Sequence, residues 1–299
     1  MKSFDTEISQ KKTLELVILS DLHLGTYGCS SKELLLYLKN IRPETLVLNG
    51  DIIDIWQFNK HLWPKSHAAV IKEILSLLSS GTKVIYITGN HDEMMRRYSG
   101  LKIGKFEILD KVVLPLSNGE RAWVFHGDVF DVMMEHSKFL TRMGAYGYDL
   151  LILINSLVNR VSKLLGRSPV SLASKVKDSV KSAVKYLNKF ENLVAEIGSR
   201  KGYDYVVCGH IHKPEKRKHI TEYGEITYLN SGDWIENLSA LEFNGKAWNI
   251  YRFKDDPLIA DIREETPLAP SYQQIFDSLK KDIAEINIKS SKFSSPTIS

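Results

Sequence analysis

Asp, Asn and His residues follow apolar segments of this sequence at five separate places. The residues in question are Asp21, His23, Asp51, Asn90, His126, His210 and His212. Carboxylate, amide and imidazole groups without thiolates favour Mn²⁺ or Fe²⁺, with Zn²⁺ also suitable. Seven ligands exceed the four of one tetrahedral zinc ion, and they suit two ions about 3.5–4 Å apart that share one carboxylate. The sequence therefore predicts two divalent ions at one site, with Mn²⁺ as the expected metal.

Each of these residues comes at the end of a predicted strand. The run Thr45–Asn49 is typical of a buried strand, and Gly50 then allows a sharp turn that delivers Asp51. Similar apolar runs end near residues 20, 88, 125 and 208. Two of the strand ends carry pairs spaced i, i+2, and such residues project to the same side of an extended segment. We therefore expect extended pairs and a common site centred on Asp51.

The elements between these strands predict an α/β fold. Helical patterns over residues 31–40 and 66–80 separate the first three strands, which implies parallel strands with right-handed crossovers. Beyond residue 100, the turn signals at 117–120 and 243–246 predict hairpins. Two mixed sheets flanked by helices are the expected architecture, with the ligands gathered at the carboxyl ends of strands.

Residues 134–200 interrupt this succession of strands and are predicted to form a helical insertion. A first helix at about 148–165 is apolar on most of its circumference, and a second at about 171–198 has an apolar stripe with lysines beside it. The two helices either pack on the body as a hairpin with solvated lysines, or form a cap that offers an apolar surface and a basic rim to an amphiphile. We expect a core of 1–133 and 201–265, this insertion, and a C-terminal helix with a disordered tail at 266–299.

Composition narrows the class of protein. The 299 residues are 43% hydrophobic and 25% charged, as in globular proteins with a sizeable core. Net charge is only +4, yet residues 138–201 hold 12 Lys/Arg and 4 Asp/Glu, which indicates an anionic partner near the insertion. The N-terminus has no signal-peptide core, and no apolar run approaches the roughly 20 residues that span a bilayer. We expect a cytoplasmic protein, soluble or peripheral on the inner face of the membrane.

Five motifs together resemble the calcineurin-like metallophosphoesterase superfamily, over about residues 14–253. They are Asp21-x-His23, Gly50-Asp51, Gly89-Asn90-His91-Asp92, His126 and Gly209-His210-x-His212. The resemblance implies a four-layer α-β-β-α sandwich, here with a helical-hairpin cap, and a dinuclear site bridged by Asp51. By resemblance, one ion is held by Asp21, His23, Asp51 and His212. The other is held by Asp51, Asn90, His126 and His210.

Within the superfamily, four features resemble the UDP-2,3-diacylglucosamine diphosphatases of lipid A synthesis. These features are Ser20–Gly25, Gly50–Trp56 and His126-Gly127-Asp128, together with the helical insertion. The resemblance implies a cap that holds acyl chains, and cleavage of a diphosphate to lipid X and UMP. This sequence departs from the family pattern in two ways. It has His91 where that family commonly has Arg. It is also longer, with the segment Asn230–Trp234 and a C-terminal extension.

The expected chemistry assigns roles to residues around the metals. Two cations can lower the pKa of a water molecule toward about 7 and so supply hydroxide at neutral pH. Asn90 would stabilise charge on the phosphoryl oxygens, and His91 would donate a proton or a hydrogen bond to the leaving oxygen. Asp92 is expected to orient His91, to cap a short helix at 93–97, or to do both.

Contacts with the substrate are less constrained by the sequence. Arg96 would meet a second phosphate or remain solvated, and Trp56 would stack on a nucleobase or be buried. Asp128, Lys177 and Lys181 are further candidates for contact with an acylated nucleotide sugar.

Two rival functions remain open. One is a nucleotide or nucleic-acid phosphodiesterase, which long basic tracts interleaved with aromatic residues would favour. The basic excess lies on an apolar hairpin instead, which fits a lipid phosphate better, so no nucleic acid is expected as a partner. The other is an inactive scaffold that has lost its metals, and the presence of the complete ligand set argues against it.

Overall fold

The computed structural model describes residues 11–26, 28–55, 63–133 and 172–257. The predicted helix 148–165, Trp56, and the C-terminal helix and tail from 266 lie outside these ranges, as do the side chains of Lys177 and Lys181. The chain divides into two compact units, Met1–Phe253 and Lys254–Ser299. The first unit contains both sheets of the fold.

Helices and strands alternate at the start of the chain, and strands dominate after residue 100. In chain order the elements are β1 (Lys12–Leu19), α1 (Ser31–Asn40), β2 (Ile41–Asn49), α2 (Lys65–Ser79), β3 (Lys83–Ile87), a 3₁₀ helix (Glu93–Tyr98), β4 (Lys102–Ile103), β5 (Phe106–Leu109), β6 (Lys111–Pro115), β7 (Arg121–Phe125), α3 (Val129–Met133), α4 (Leu172–Arg200), β8 (Tyr205–Cys208), β9 (Glu215–Thr221), β10 (Gly224–Asn230), β11 (Ser239–Phe243), β12 (Trp248–Arg252) and a 3₁₀ helix (Phe253–Asp255). The predicted helices at 31–40 and 66–80 are confirmed.

The strands form two sheets. The first has the order β12-β11-β1-β2-β3-β5-β4, in which β1, β2, β3 and β5 are parallel neighbours. The second has the order β6-β7-β8-β10-β9. The hairpins expected at 117–120 and 243–246 join β6 to β7 and β11 to β12. Both sheets are therefore mixed, as the pattern of turns predicts.

Apolar side chains between the sheets form one core. Leu16 and Ile18 of β1 face this core, whereas Val17 and Leu19 lie on the opposite face and are also fully buried. A strand segment buried on both faces reads as a continuous apolar run, which is why Leu16–Leu19 of β1 show no alternation in the sequence. Across the interface, the second sheet contributes Ala122, Val124, Val207 and Leu229.

Helices cover the outer faces of both sheets. Tyr37 of α1 donates a hydrogen bond of 3.1 Å to Glu242 of β11, whose neighbours Leu241 and Phe243 point into the central core. On the second sheet, Phe190 and Val194 of α4 belong to a cluster with strand residues such as Trp123, Val206 and Tyr228. The expected helix–sheet–sheet–helix order is confirmed.

The placement of α4 differs from the expected insertion. The predicted cap includes residues up to 200, yet the second half of α4 is the outer layer of the core itself. Phe190, Val194 and Ala195 are fully buried against the second sheet. From Phe190 to Ile197 the apolar stripe is thus the packing face of a core helix, because an apolar stripe buries whichever apolar surface it meets. Within the described ranges, every helix is too short or too polar to cross a bilayer.

Candidate metal centre

Five strands end at one rim of the sandwich, and each is followed by predicted ligands. Strands β1, β2 and β3 of the first sheet lead to Asp21, Asp51 and Asn90. Strands β7 and β8 of the second sheet lead to His126 and His210. The two sheets are tied there by the Asn49 amide, which donates a hydrogen bond of 3.1 Å to the carbonyl of Phe125.

The predicted ligands lie close enough to share cations. Three groups have potential ligand atoms within 4.8 Å of one another; they are Asp21/His23/His212, His23/Asp51/His91 and Asp51/His126/His210. Asp51 belongs to two groups, and its Oδ2 lies 3.3 Å from Nε2 of His126. Asp21 Oδ1 lies 3.1 Å from Nε2 of His212. The geometry therefore places Asp51 between two clusters of nitrogen and oxygen atoms.

Buried polar atoms that make no hydrogen bond test whether the site suits cations. Nine buried side-chain atoms of the described residues accept or donate no hydrogen bond, and four of them belong to predicted ligands: Asp21 Oδ1, His23 Nε2, Asn90 Oδ1 and His126 Nε2. A buried polar atom without a partner costs free energy, so native proteins keep very few. Four together at one rim, all of types that ligate Mn²⁺, Fe²⁺ or Zn²⁺, fit a site for divalent ions.

The backbone at the site is left-handed rather than extended. Asp21, His23, Asp51, His210 and His212 have φ values of 52°, 47°, 54°, 64° and 55°. The expectation that each i, i+2 pair projects from an extended segment is therefore wrong, because both members of each pair sit in a left-handed conformation. Non-glycine residues rarely adopt this conformation, and strain of this kind collects at functional sites.

Glycines next to these residues allow the close approach. A Cβ atom on Gly50 would lie 2.3 Å from Nδ1 of His126, and one on Gly89 would lie 2.2 Å from Oδ1 of Asp51. Gly50 also has a φ of 81°. The space that a side chain at Gly50 would need is occupied by the ring of His126.

Groups behind the imidazoles fix their orientation. His126 Nδ1 lies 2.9 Å from the carbonyl of Asn49, which leaves Nε2 toward Asp51. His210 Nε2 lies 2.9 Å from Oδ2 of Asp131, a residue of α3. Metal-binding histidines generally use the second nitrogen in this way. Sequence reasoning missed Asp131, whose only signal was its position on a short helix directly after a predicted ligand.

His91 is oriented by Asp54, not by Asp92. Its Nδ1 lies 3.1 Å from Oδ2 of Asp54, and its Nε2 lies 4.0 Å from Oδ2 of Asp51. Burial by itself lowers the pKa of His91, but the hydrogen bond to Asp54 and the nearby carboxylates raise it overall. Asp54 stands three residues after Asp51 in the motif, and this spacing could have identified it.

Asp92 supports the loops from beneath. Its carboxylate accepts hydrogen bonds from the backbone N–H of Ile52 at 2.9 Å and of Gly89 at 2.6 Å, and from the hydroxyl of Tyr86 at 2.6 Å. The side chain makes no capping bond to the 3₁₀ helix Glu93–Tyr98. Both expected roles of Asp92 are therefore wrong, because its oxygens are occupied in holding the turns that carry Asp51 and Asn90.

Two candidate substrate contacts pair with each other. Arg96 forms an ion pair with Asp128 beside His126. Both line a cavity of about 260 Å³ that also includes Thr88, Asp110 and Phe125. The positive charge of Arg96 is thus matched by a carboxylate at the edge of the site.

Mutual electrostatics keep the carboxylates ionised. Burial by itself raises the pKa of Asp21, but the imidazoles of His212 and His126 outweigh it and lower the pKa to about 2. Burial lowers the pKa of His212, whereas the charge of Asp21 raises it to about 9. In the same way the pKa of Asp51 is lowered and that of His126 is raised. Cation binding therefore has to displace protons from these imidazoles.

Comparisons with known proteins find a family match and several relatives of this chain. The sequence profile described as "Calcineurin-like phosphoesterase" matches residues 14–214. The UDP-2,3-diacylglucosamine hydrolase of Aliivibrio fischeri is 22% identical over 245 residues, covering 80% of this chain and 98% of that protein. The enzyme of the same name from Stenotrophomonas maltophilia is 24% identical and covers 78% and 96%. The solved structure of Yfce, a phosphoesterase from E. coli, is 17% identical with a TM-score of 0.40, covering 80% and 93%. The chain belongs to the calcineurin-like phosphoesterase family and is a metal-dependent phosphoester hydrolase.

Proposed function

We propose that the chain is a phosphoric ester or anhydride hydrolase that works with two divalent ions, Mn²⁺ first among them. One ion is held by Asp21, His23, Asp51 and His212. The other is held by Asp51, Asn90, His126 and His210. The four buried ligand atoms without hydrogen-bond partners carry this proposal. When bound, such ions supply hydroxide at neutral pH and stabilise charge on the phosphoryl group.

The chain's own residues position the phosphoryl group and move a proton. Asn90 has a buried amide oxygen that makes no hydrogen bond, and its amide N–H group would donate to a phosphoryl oxygen. His91 presents Nε2 toward the site while Asp54 holds Nδ1. We propose that His91 donates a proton to the leaving oxygen. Asp92 holds the loops of Asp51 and Asn90 and takes no part in proton transfer.

The proposed substrate is UDP-2,3-diacylglucosamine, cleaved at its diphosphate to UMP and the acylated sugar phosphate. The support is that relatives named for this substrate align with 78–80% of the chain and nearly their whole length. The second half of α4 packs as a core helix, so acyl chains would meet the first predicted helix or the segment before Phe190. The excess of Lys and Arg over residues 138–201 would lie near the anionic substrate or the inner membrane face.

A product assay tests the substrate directly. Purified protein with Mn²⁺ is offered UDP-2,3-diacylglucosamine, UDP-sugars without acyl chains, cyclic nucleotides and single-stranded DNA. We expect release of UMP from the acylated substrate at the highest kcat/KM. Faster hydrolysis of cyclic nucleotides or DNA would make the chain a nucleotide or nucleic-acid phosphodiesterase.

Charge reversal tests the basic segment separately. Lys177, Lys181 and Lys185 changed together to Glu should weaken binding to anionic liposomes, most visibly at low salt, because each lysine contributes about 1 kcal/mol near such a surface. Cleavage of a soluble aryl phosphodiester should remain, since the candidate metal centre is untouched. Equal liposome binding by the triple variant and the wild type would indicate that these lysines are only solvated and do not contact the membrane.

A further inference from the structure

A carboxylate and a phenol stand behind one of the predicted ligands. His210 is almost fully buried, and its Nε2 lies 2.9 Å from Oδ2 of Asp131 on α3. The other carboxylate oxygen, Oδ1, accepts a hydrogen bond from the hydroxyl of Tyr186 on α4. The three side chains thus form a chain of contacts from the outer helix to the rim of the sandwich. Asp131 and Tyr186 have no part in the chemistry proposed for the metal centre.

The direction of these contacts determines which nitrogen of His210 faces the site. An anionic carboxylate next to Nε2 stabilises the tautomer with the proton on Nε2, which leaves the lone pair on Nδ1. His126 is held the other way, since its Nδ1 meets the neutral carbonyl of Asn49. The two imidazoles of one predicted ion site are therefore held through opposite nitrogens. A carboxylate partner also makes an imidazole a stronger ligand than a carbonyl partner does.

We propose that Asp131 and Tyr186 are positioning residues that hold His210 ready to bind the ion of the Asp51/His126/His210 group through Nδ1. Tyr186 restrains the Asp131 carboxylate, so the seating of α4 on the second sheet sets the affinity of that ion. By linkage, binding of the ion stabilises the seated position of α4. The inference rests on the proposed dinuclear site.

Metal titration of the apoprotein tests the proposal without any activity measurement. Calorimetric titration with Mn²⁺ should give two binding events in the wild type. In Asp131→Asn, one event should weaken by about 10- to 100-fold while the other stays unchanged. In Tyr186→Phe, the same event should weaken by about 2- to 10-fold, as expected for one hydrogen bond.

A matched pair elsewhere on the second sheet serves as the control. Tyr205 donates a hydrogen bond of 2.7 Å to Glu120, whose carboxylate also accepts one from Asn118. Tyr205→Phe and Glu120→Gln remove the same kind of contact and should leave both binding events unchanged. Weakening by the controls, equal weakening of both events in Asp131→Asn, or unchanged affinity in Asp131→Asn overturns the proposal. Should Asp131→Asn not fold, Tyr186→Phe decides alone.

The tautomer of His210 provides a second readout. In Zn²⁺-loaded wild type labelled with ¹⁵N-histidine, long-range ¹H–¹⁵N spectra should show His210 protonated at Nε2. Protonation at Nδ1 instead would overturn the assignment. Fewer than two ions in the wild type would overturn the proposed function and this inference together, whereas two ions with an unaffected Asp131→Asn would overturn the inference alone.

Discussion

The strand ends at the rim and the outer helix α4 contrast in how their sequences relate to their roles. At the rim, each short motif places a polar residue just after a strand, in most cases beside a glycine, and the motifs meet in space. Along α4, one apolar stripe repeats over 29 residues, and its buried part packs against Trp123 and Tyr228. A motif of Asp, Asn or His residues after a strand has few possible partners, and here those partners are the other motifs of the same kind. An apolar stripe accepts any apolar surface, so its periodicity does not identify what it covers.

The largest expected loss of activity follows substitution of Asp51, the residue at the centre of the rim. Asp51→Ala should lower kcat on a soluble aryl phosphodiester by roughly 10⁴-fold or more, because Asp51 belongs to both ion sites and each ion contributes several kcal/mol. Asp110→Asn, at the edge of the neighbouring cavity, is the control and should keep most of the activity. Substantial turnover by Asp51→Ala would contradict the bridging role.

His91 separates catalysis from metal binding at the same rim. His91→Ala should lower kcat by roughly 10²- to 10⁴-fold, the usual contribution of a general acid, with two ions still bound. Asp54→Asn should lower kcat less, since it only reorients the ring. His219→Ala, on edge strand β9, should leave kcat unchanged. Loss of one ion from His91→Ala would make His91 a ligand.

Shortening single side chains of α4 tests how this helix packs on the second sheet. Phe190 is fully buried between Phe130 and Tyr228, so Phe190→Ala should lower the free energy of unfolding by about 3–5 kcal/mol. Val184→Ala, half-exposed on the same helix, should change it by less than about 0.5 kcal/mol. Urea denaturation measures both values. A small change in the free energy of unfolding of Phe190→Ala would indicate that this half of α4 belongs to a separate cap and not to the core.

Asp92 tests the support beneath the rim and has the smallest expected effect. Asp92→Asn replaces an acceptor of three buried hydrogen bonds by a group that must also place two donors, so the free energy of unfolding should fall by about 2 kcal/mol. The loss of kcat should be smaller than in His91→Ala. A loss of kcat larger than that of His91→Ala, with unchanged stability, would indicate that Asp92 takes part in proton transfer.

Strand ends and helices could be predicted from the sequence because their signals are local. The run before Asp51 is apolar on both faces, and Gly50 marks the turn, so the strand and the residue it delivers were evident. The left-handed backbone at Asp21 and His23 had no such signal, because it is imposed by contacts such as Asp21 N–H to the carbonyl of Gly50 at 3.0 Å. Strain of this kind depends on the assembled rim.

Roles that depend on partners far apart in the chain could not be predicted. Asp54 and Asp92 flank His91 in different ways, and only the fold decides that Asp54 meets the ring. Asp131 and Tyr186 are 55 residues apart, and their contact requires α4 to be seated on the second sheet. The sequence identified which groups collect at the rim but left open what stands behind them.

Anomalous X-ray diffraction from crystals grown with Mn²⁺ tests the central claim most directly. We expect two peaks about 3.5–4 Å apart on either side of the Asp51 carboxylate, one near Asp21, His23 and His212 and the other near His126 and His210. A single peak, or peaks outside this set of residues, would contradict the account.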